Sequence, residues 1–171
     1  MPLPCDALRQ FEYLLPTSGT ALDLASGLGG NALFLADQGL NVTAVDVSGV
    51  AMDKLQARGH PLVSTQRLAV DTEFLACAQY NVIVVSQYLD RPLCDAITAA
   101  IAPGGLLYYQ TFVIDKADPS VGPSNPEYLL HTNELLSLFP ILRAVVFSDL
   151  GVVGDQSQGF RNQSYLVARK E

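Results

Sequence analysis

Histidine, cysteine and clustered positive charge are scarce in this 171-residue sequence, and each scarcity closes off a class of chemistry. Its two histidines stand alone: His60 precedes Pro61 in a turn, and His131 precedes Thr132 near a helix start. Cys5, Cys77 and Cys94 are odd in number and widely spaced, with no CxxC pair and no histidine at ligand spacing. Neither a metal site nor a disulfide framework is expected, and the cysteines read as reduced, mostly buried thiols. The ten lysines and arginines are scattered apart from the Arg169-Lys170 tail, against 17 acids and a net charge of −7. Without a basic face to neutralise phosphates, no nucleic-acid partner is expected and small-molecule chemistry is favoured. No apolar run approaches the roughly 20 residues that cross a bilayer, so no membrane role is expected either. The start, Met-Pro-Leu-Pro-Cys-Asp, has no basic opening or unbroken apolar stretch of the secretory kind, which points to the cytoplasm.

What is present describes one globular domain over residues 1–171. The hydrophobic fraction is 49% and the charged fraction 16%, in a chain long enough to bury a real core. Ala7, Leu8, Phe11, Leu14 and Leu15 share one helical face ahead of Pro16, which places an amphipathic helix within residues 1–16. Strands are expected at Thr20–Ala25, Asn41–Val47, Gln66–Val70, Asn81–Ser86 and Leu106–Val113. Between them fall helices at Asn31–Gln38, from a Ser48 cap to Arg58, and over residues 90–102, the last stopped by Pro103-Gly104-Gly105. Val82-Ile83-Val84-Val85 is an apolar run of the kind found in a strand covered on both faces.

The remaining third of the chain is less regular. Residues 114–130 are rich in Asp, Pro, Gly and Asn, too long for a routine connection, and read as a substrate-side loop or lid. A helix at Thr132–Leu138 follows, then two strands, Ile141–Asp149 and Gln163–Arg169, as an antiparallel pair. No internal repeat or domain boundary interrupts the pattern. Alternating strands and helices at this spacing give right-handed crossovers and a mostly parallel, doubly wound α/β sheet with helices on both faces. Ligands of such sheets bind beyond the carboxyl ends of the strands, at the switch point in strand order. Asp46, Asp71 and Ser86, each read as ending a strand, would then line one crevice.

Gly27-Leu28-Gly29-Gly30 after the first strand permits a tight turn and close approach of backbone to a ligand. The spacing Gly27-x-Gly29-x-x-Ala32, with Asp46 further on, also suits a dinucleotide turn, so spacing alone leaves an NAD(P)-dependent oxidoreductase open. Asp23 inside the first strand has no place in that reading. A dehydrogenase of this kind is also expected to carry a substrate-binding second half, for which 171 residues leave no segment. Carboxylates on both sides of the turn suit a ligand with hydroxyls and a positive charge better than one with a pyrophosphate.

The run Asp23-Leu24-Ala25-Ser26-Gly27-Leu28-Gly29, with Asp46, Asp71 and Pro103-Gly104-Gly105, resembles the class I S-adenosylmethionine-dependent methyltransferases. Within that class, Asn31, Leu33-Phe34-Leu35 and Gly39-Leu40-Asn41-Val42-Thr43-Ala44-Val45-Asp46 look most like the tellurite-resistance-type group. The resemblance implies a Rossmann-like seven-stranded sheet of order 3-2-1-4-5-7-6 with strand 7 antiparallel. It also implies S-adenosylmethionine as cofactor, S-adenosylhomocysteine as product, and methyl transfer to a small-molecule acceptor by in-line displacement. Gly27 and Gly29 would lie along the methionine end, Ala25 and Asn31 would also bind the cofactor, and Asp23 would receive the α-amino group directly or through water. Asp46, with Val47 beside it, would bind the ribose hydroxyls, and Asp71 with Thr72 the adenine. Ser86 and Gln87 would face the sulfonium.

On the acceptor side, Tyr88 would wall or orient the acceptor and Arg91 would hold an anionic one, unless Arg91 is spent on Asp90 or Asp95. The tellurite-type group has Gly-Arg-Asn-Ser where this chain has Gly29-Gly30-Asn31-Ala32, and Ser26 stands where a cysteine is common. Those departures leave the cofactor residues in place and the acceptor unnamed. A non-catalytic protein that keeps the fold and binds the cofactor is the alternative in another functional class.

Overall fold

A computed structural model describes all of residues 1–171. Seven strands form one sheet: β1 Thr20–Leu24, β2 Asn41–Asp46, β3 Val63–Arg67, β4 Tyr80–Ser86, β5 Ile101–Phe112, β6 Arg143–Ser148 and β7 Gln163–Arg169. Their order is β3-β2-β1-β4-β5-β7-β6, with β7 antiparallel to both β5 and β6 and the remaining pairs parallel, as the resemblance implied. The chain leaves β1 for β2 on one side and later enters β4 on the other, so the switch point lies beyond the ends of β1 and β4.

Side-chain alternation along the central strands feeds two separate cores. Ile83 and Val85 of β4 join Leu22, Leu107 and Tyr109 on one face, covered by α4 (Thr72–Ala76), α5 (Cys94–Ala100) and α6 (Glu134–Leu138). Val82 and Val84 point the other way, to Ala21, Ala44 and Tyr108 under α1 (Asp6–Gln10), α2 (Gly30–Asp37) and α3 (Gly49–Gln56). Every residue of the run Val82–Val85 is fully buried, which explains why it reads as unbroken apolar sequence. Ser48 caps α3 by accepting from the Ala51 N–H at 3.2 Å, as expected from its position.

Two strands differ from their sequence reading. β3 begins at Val63, paired to Val42, and ends at Arg67, paired to Asp46, so it lies about a turn earlier than the expected Gln66–Val70. It is the solvent-flanked edge of the sheet and carries Ser64, Gln66 and Arg67 exposed, a polar pattern with little strand signal. β5 begins at Ile101, five residues before the expected start. Tyr80 pairs Ile101 and Val82 pairs Leu106, so Pro103-Gly104-Gly105 sits in an irregularity within the strand rather than in a turn before it. No helix is long and apolar enough to cross a membrane.

The two cores cover β4 on both faces. Ile83→Ala should therefore cost about 2–5 kcal/mol, the range for a fully buried aliphatic truncation, read from urea unfolding. A loss under about 1 kcal/mol would show that the face under α5 is less tightly packed than described.

Candidate functional site

Chain geometry at the switch point is unusual. Ala25 after β1 (φ 56°) and Gln87 after β4 (φ 55°) are left-handed without being glycine, and Gly27 (φ 52°) and Gly29 (φ 79°) follow in the turn. Non-glycine residues in this region cost on the order of 1 kcal/mol and gather at functional sites. A side chain built at Gly27 would meet nothing within 4 Å, so its backbone faces open space.

Two cavities meet here and share Ala25. One is an apolar slot of about 190 Å³ between Leu24, Val45, Val47, Leu68, Ala69, Val70 and Tyr88, with Asp46 at its edge. The other, about 530 Å³, is polar and runs from Ser26, Gly27 and Asn31 past Ser86 and Gln87 to Gln110 and Gln163. Its outer wall is the N-terminal segment, Pro2 to Asp6 with Arg9.

Asp46 is held by backbone on both carboxylate oxygens. Gly27 N–H donates to Oδ2 at 2.8 Å and Ser48 N–H to Oδ1 at 2.8 Å. Each oxygen keeps a lone pair for a ligand, and the carboxylate cannot swing away.

Asp23 differs from its expected role. It is fully buried, and it turns its oxygens to the first turn of α2: Ala32 N–H donates to Oδ2 at 2.9 Å and Asn31 Nδ2 to Oδ1 at 3.3 Å. It does not face the crevice. Asn31 carries its influence there, donating also to Ser86 Oγ at 3.0 Å and accepting from Cys5 N–H at 2.8 Å through Oδ1. Burial pushes the Asp23 carboxyl up to about 7, against the lowering effect of the Asn31 and Ala32 bonds.

Asp71 also changes place. Because β3 ends at Arg67, Leu68-Ala69-Val70 line the slot and Asp71 becomes the N-cap of α4, accepting from Phe74 N–H at 2.8 Å. It is exposed, with its second oxygen free, and Thr72 starts the helix beside it; neither lines the slot or the crevice.

Tyr88 forms part of the apolar slot, its hydroxyl donating to Asp90 Oδ2 at 3.2 Å. Arg91 is committed elsewhere: its guanidinium donates to Glu134 at 2.6 and 3.0 Å and to the carbonyls of Glu127 and Leu129. The partner is Glu134 of α6, not Asp90 or Asp95, and Arg91 ties down the return of the long loop instead of facing the crevice. That loop lines neither cavity; Lys116 Nζ gathers it by donating to the carbonyls of Val121 and Pro123, each at 2.8 Å.

Gln110, Gln163, Asp6 and Arg9 were not legible as site residues. Gln110 is a buried amide in β5 that accepts from Ala7 N–H at 2.8 Å and donates to Gln163 Oε1 at 2.8 Å. A glutamine directly after the apolar run Leu106-Leu107-Tyr108-Tyr109 was the available signal.

No family model matches the sequence, and no curated protein matches it. Solved structures do. An S-adenosylmethionine-dependent methyltransferase from Mesorhizobium loti aligns with TM-score 0.71 and 13% identity over 95% of this chain and 96% of that one. TehB from Haemophilus influenzae gives TM-score 0.72 and 19% identity over 97% of this chain, which spans 62% of TehB. The N-methyltransferase NodS from Bradyrhizobium japonicum gives TM-score 0.68 and 16% identity, covering 96% and 89%. The chain has the fold of these methyltransferases. Its seven-stranded order, with β7 antiparallel, belongs to that shared fold.

Asp23 gives the framework a pH signature. Its folded-state value, about 7, lies above the unfolded 3.8, so its stabilising contribution is full below about 3.8 and is lost as pH rises through about 7. Relative to wild type, Asp23→Asn should remove a decline in unfolding free energy of up to about 1.4 kcal/mol per pH unit between those values. Parallel pH profiles for the two proteins, by urea titration, would place the Asp23 proton elsewhere.

Proposed function

We propose that this protein is an S-adenosylmethionine-dependent methyltransferase acting on a small-molecule acceptor in the cytoplasm. The observation that carries the reading is Asp46, locked by two backbone N–H groups where an apolar slot opens into a polar crevice. An adenosine needs such a pair: a flat apolar sleeve for the base and a fixed acceptor for two ribose hydroxyls. The polar crevice fits a zwitterionic tail, and it holds one buried hydroxyl without a protein partner, Ser26 Oγ.

Residues then take these roles. Leu24, Val45, Val47, Val70 and Tyr88 sandwich the adenine, and Asp71, which follows Val70 but lies outside the slot, would offer its free oxygen, beside Thr72, to an amino group projecting from it. Asp46 accepts from the ribose. Ala25, Gly27, Gly29 and Asn31 hold the methionine end, with Asp23 acting on the α-amino group through Asn31. Ser86 and Gln87 border the sulfonium. When bound, the cofactor would supply a sulfonium methyl for in-line displacement, which leaves a neutral thioether. The chain's task is alignment and exclusion of water.

A nicotinamide dinucleotide fits less well, for a physical reason. A pyrophosphate needs the open N–H groups of a helix start. Here Ala32 N–H is taken by Asp23, and the Leu3 carbonyl oxygen is packed against Gly30 at the same helix start. Asp6 and Asp46 add negative charge near the same turn.

Calorimetry with S-adenosylhomocysteine, S-adenosylmethionine, NAD and NADP tests the reading directly. S-adenosylhomocysteine should bind, and Asp46→Ala should weaken it by about 1–3 kcal/mol by removing charge-assisted hydrogen bonds. Preference for NAD would overturn the proposal. Binding of the methyl donor with no turnover across a broad acceptor panel would leave a cofactor-binding protein without catalysis.

A further inference from the structure

Gly30 is the first residue of α2 and is not among the glycines with positive φ. Its backbone therefore has no need of glycine, and at this place alanine would favour the helix by as much as roughly 1 kcal/mol. The need is for space. A Cβ built on Gly30 would stand 2.2 Å from the Leu3 carbonyl oxygen, 2.7 Å from its carbon and 3.3 Å from the Pro2 carbon. All three are backbone atoms, so no side-chain rotation relieves the overlap. The chain in effect passes through the volume a side chain would occupy.

Two further tethers hold the same segment. Cys5 N–H donates to Asn31 Oδ1 and Ala7 N–H to Gln110 Oε1, each at 2.8 Å. Pro2 and Pro4 stiffen the stretch between them by fixing φ. Seated this way, residues 2–6 close the crevice on the side over β5 and β7, opposite the adenosine slot over β1 and β2. Asn31 bonds Cys5 on one side and Ser86 on the other, so the wall stands a single side chain from the sulfonium side of the site.

We infer that Gly30 determines acceptor size: by leaving room for the Leu3 backbone it seats residues Pro2–Asp6 as a fixed wall that confines the acceptor to a small polar molecule. This rests on the cofactor reading above. The polar character follows from what the wall encloses. Asp6, Gln87, Gln110 and Gln163 line this part of the crevice, whose whole volume of about 530 Å³ must also take the methionine end of the cofactor. A bulky acceptor would have to displace backbone, and an apolar one would strip water from the exposed Asp6 carboxylate and Gln87 amide without replacing it.

The test uses the full chain and three ligands: S-adenosylhomocysteine, S-adenosylmethionine, and an analogue with benzyl in place of the transferred methyl. Wild type should bind the benzyl analogue at least about tenfold more weakly than the methyl parent. Gly30→Ala should narrow that ratio by roughly fivefold or more, with S-adenosylhomocysteine affinity held within about threefold. Amide exchange at Cys5 should accelerate in the variant as the Leu3 backbone is pushed off. The double substitution Pro2→Gly, Pro4→Gly loosens the wall without touching α2 and should shift the ratio in the same direction. An unchanged ratio in both variants, or a Cys5 amide still protected in Gly30→Ala, overturns the inference while leaving the cofactor reading intact. Failure of wild type to bind S-adenosylhomocysteine overturns the cofactor reading and this inference with it.

Discussion

A carboxylate sealed inside a sheet must be satisfied by its neighbours, and the ligand-binding end of this protein is arranged around that demand at Asp23. The group is fully buried in β1, and its two oxygens draw in the Ala32 N–H and the Asn31 amide. The first bond pins the start of α2 to the strand it follows. The second orients Asn31 so that its carbonyl meets Cys5 and its amide reaches Ser86. One desolvated acid thus sets the spacing of β1, α2, β4 and the N-terminal wall. A hydrophobic residue at Asp23 would satisfy the core and leave the crevice without its hub.

Much of this framework was legible in the sequence because short-range signals carried it. Val82–Val85 declared a doubly covered strand, Ser48 a helix start, and Asp46 the end of β2, each through a residue type acting on its own few neighbours. The strand order came from resemblance and matched the sheet. What escaped was set by partners far along the chain. β3 is held in register by β2 and carries little apolar pattern of its own, so its place was misread by three residues and Asp71 was put at a strand end instead of a helix cap. Pro103-Gly104-Gly105 punctuates the sequence, but pairing of Tyr80 with Ile101 keeps it in the strand.

Arg91 shows the same limit on charge. Its neighbours in sequence are Asp90 and Asp95, yet its ion pair is with Glu134 of α6, with two loop carbonyls beside it. That hydrogen bonding holds Glu134 below the usual carboxylate range, the mark of a pair retained in the folded state. A surface arginine next to acids reads as a ligand clamp or a local pair. Only the path of the chain between residues 91 and 134 reveals that it is neither.

Gly30 reverses the meaning of a missing side chain. Against the tellurite-type pattern, glycine at this position looks like a loss, a cation deleted from the acceptor side. The packing shows the volume put to use, because the Leu3 backbone fills it and brings Cys5 and Asp6 to the crevice. The two arrangements are mutually exclusive: an arginine at Gly30 and this path of residues 2–6 cannot share the start of α2. A glycine with ordinary helical backbone and no room for a Cβ therefore marks where one chain segment has replaced another's side chain, and the acceptor should be sought among molecules that fit the narrower, amide-lined space that results.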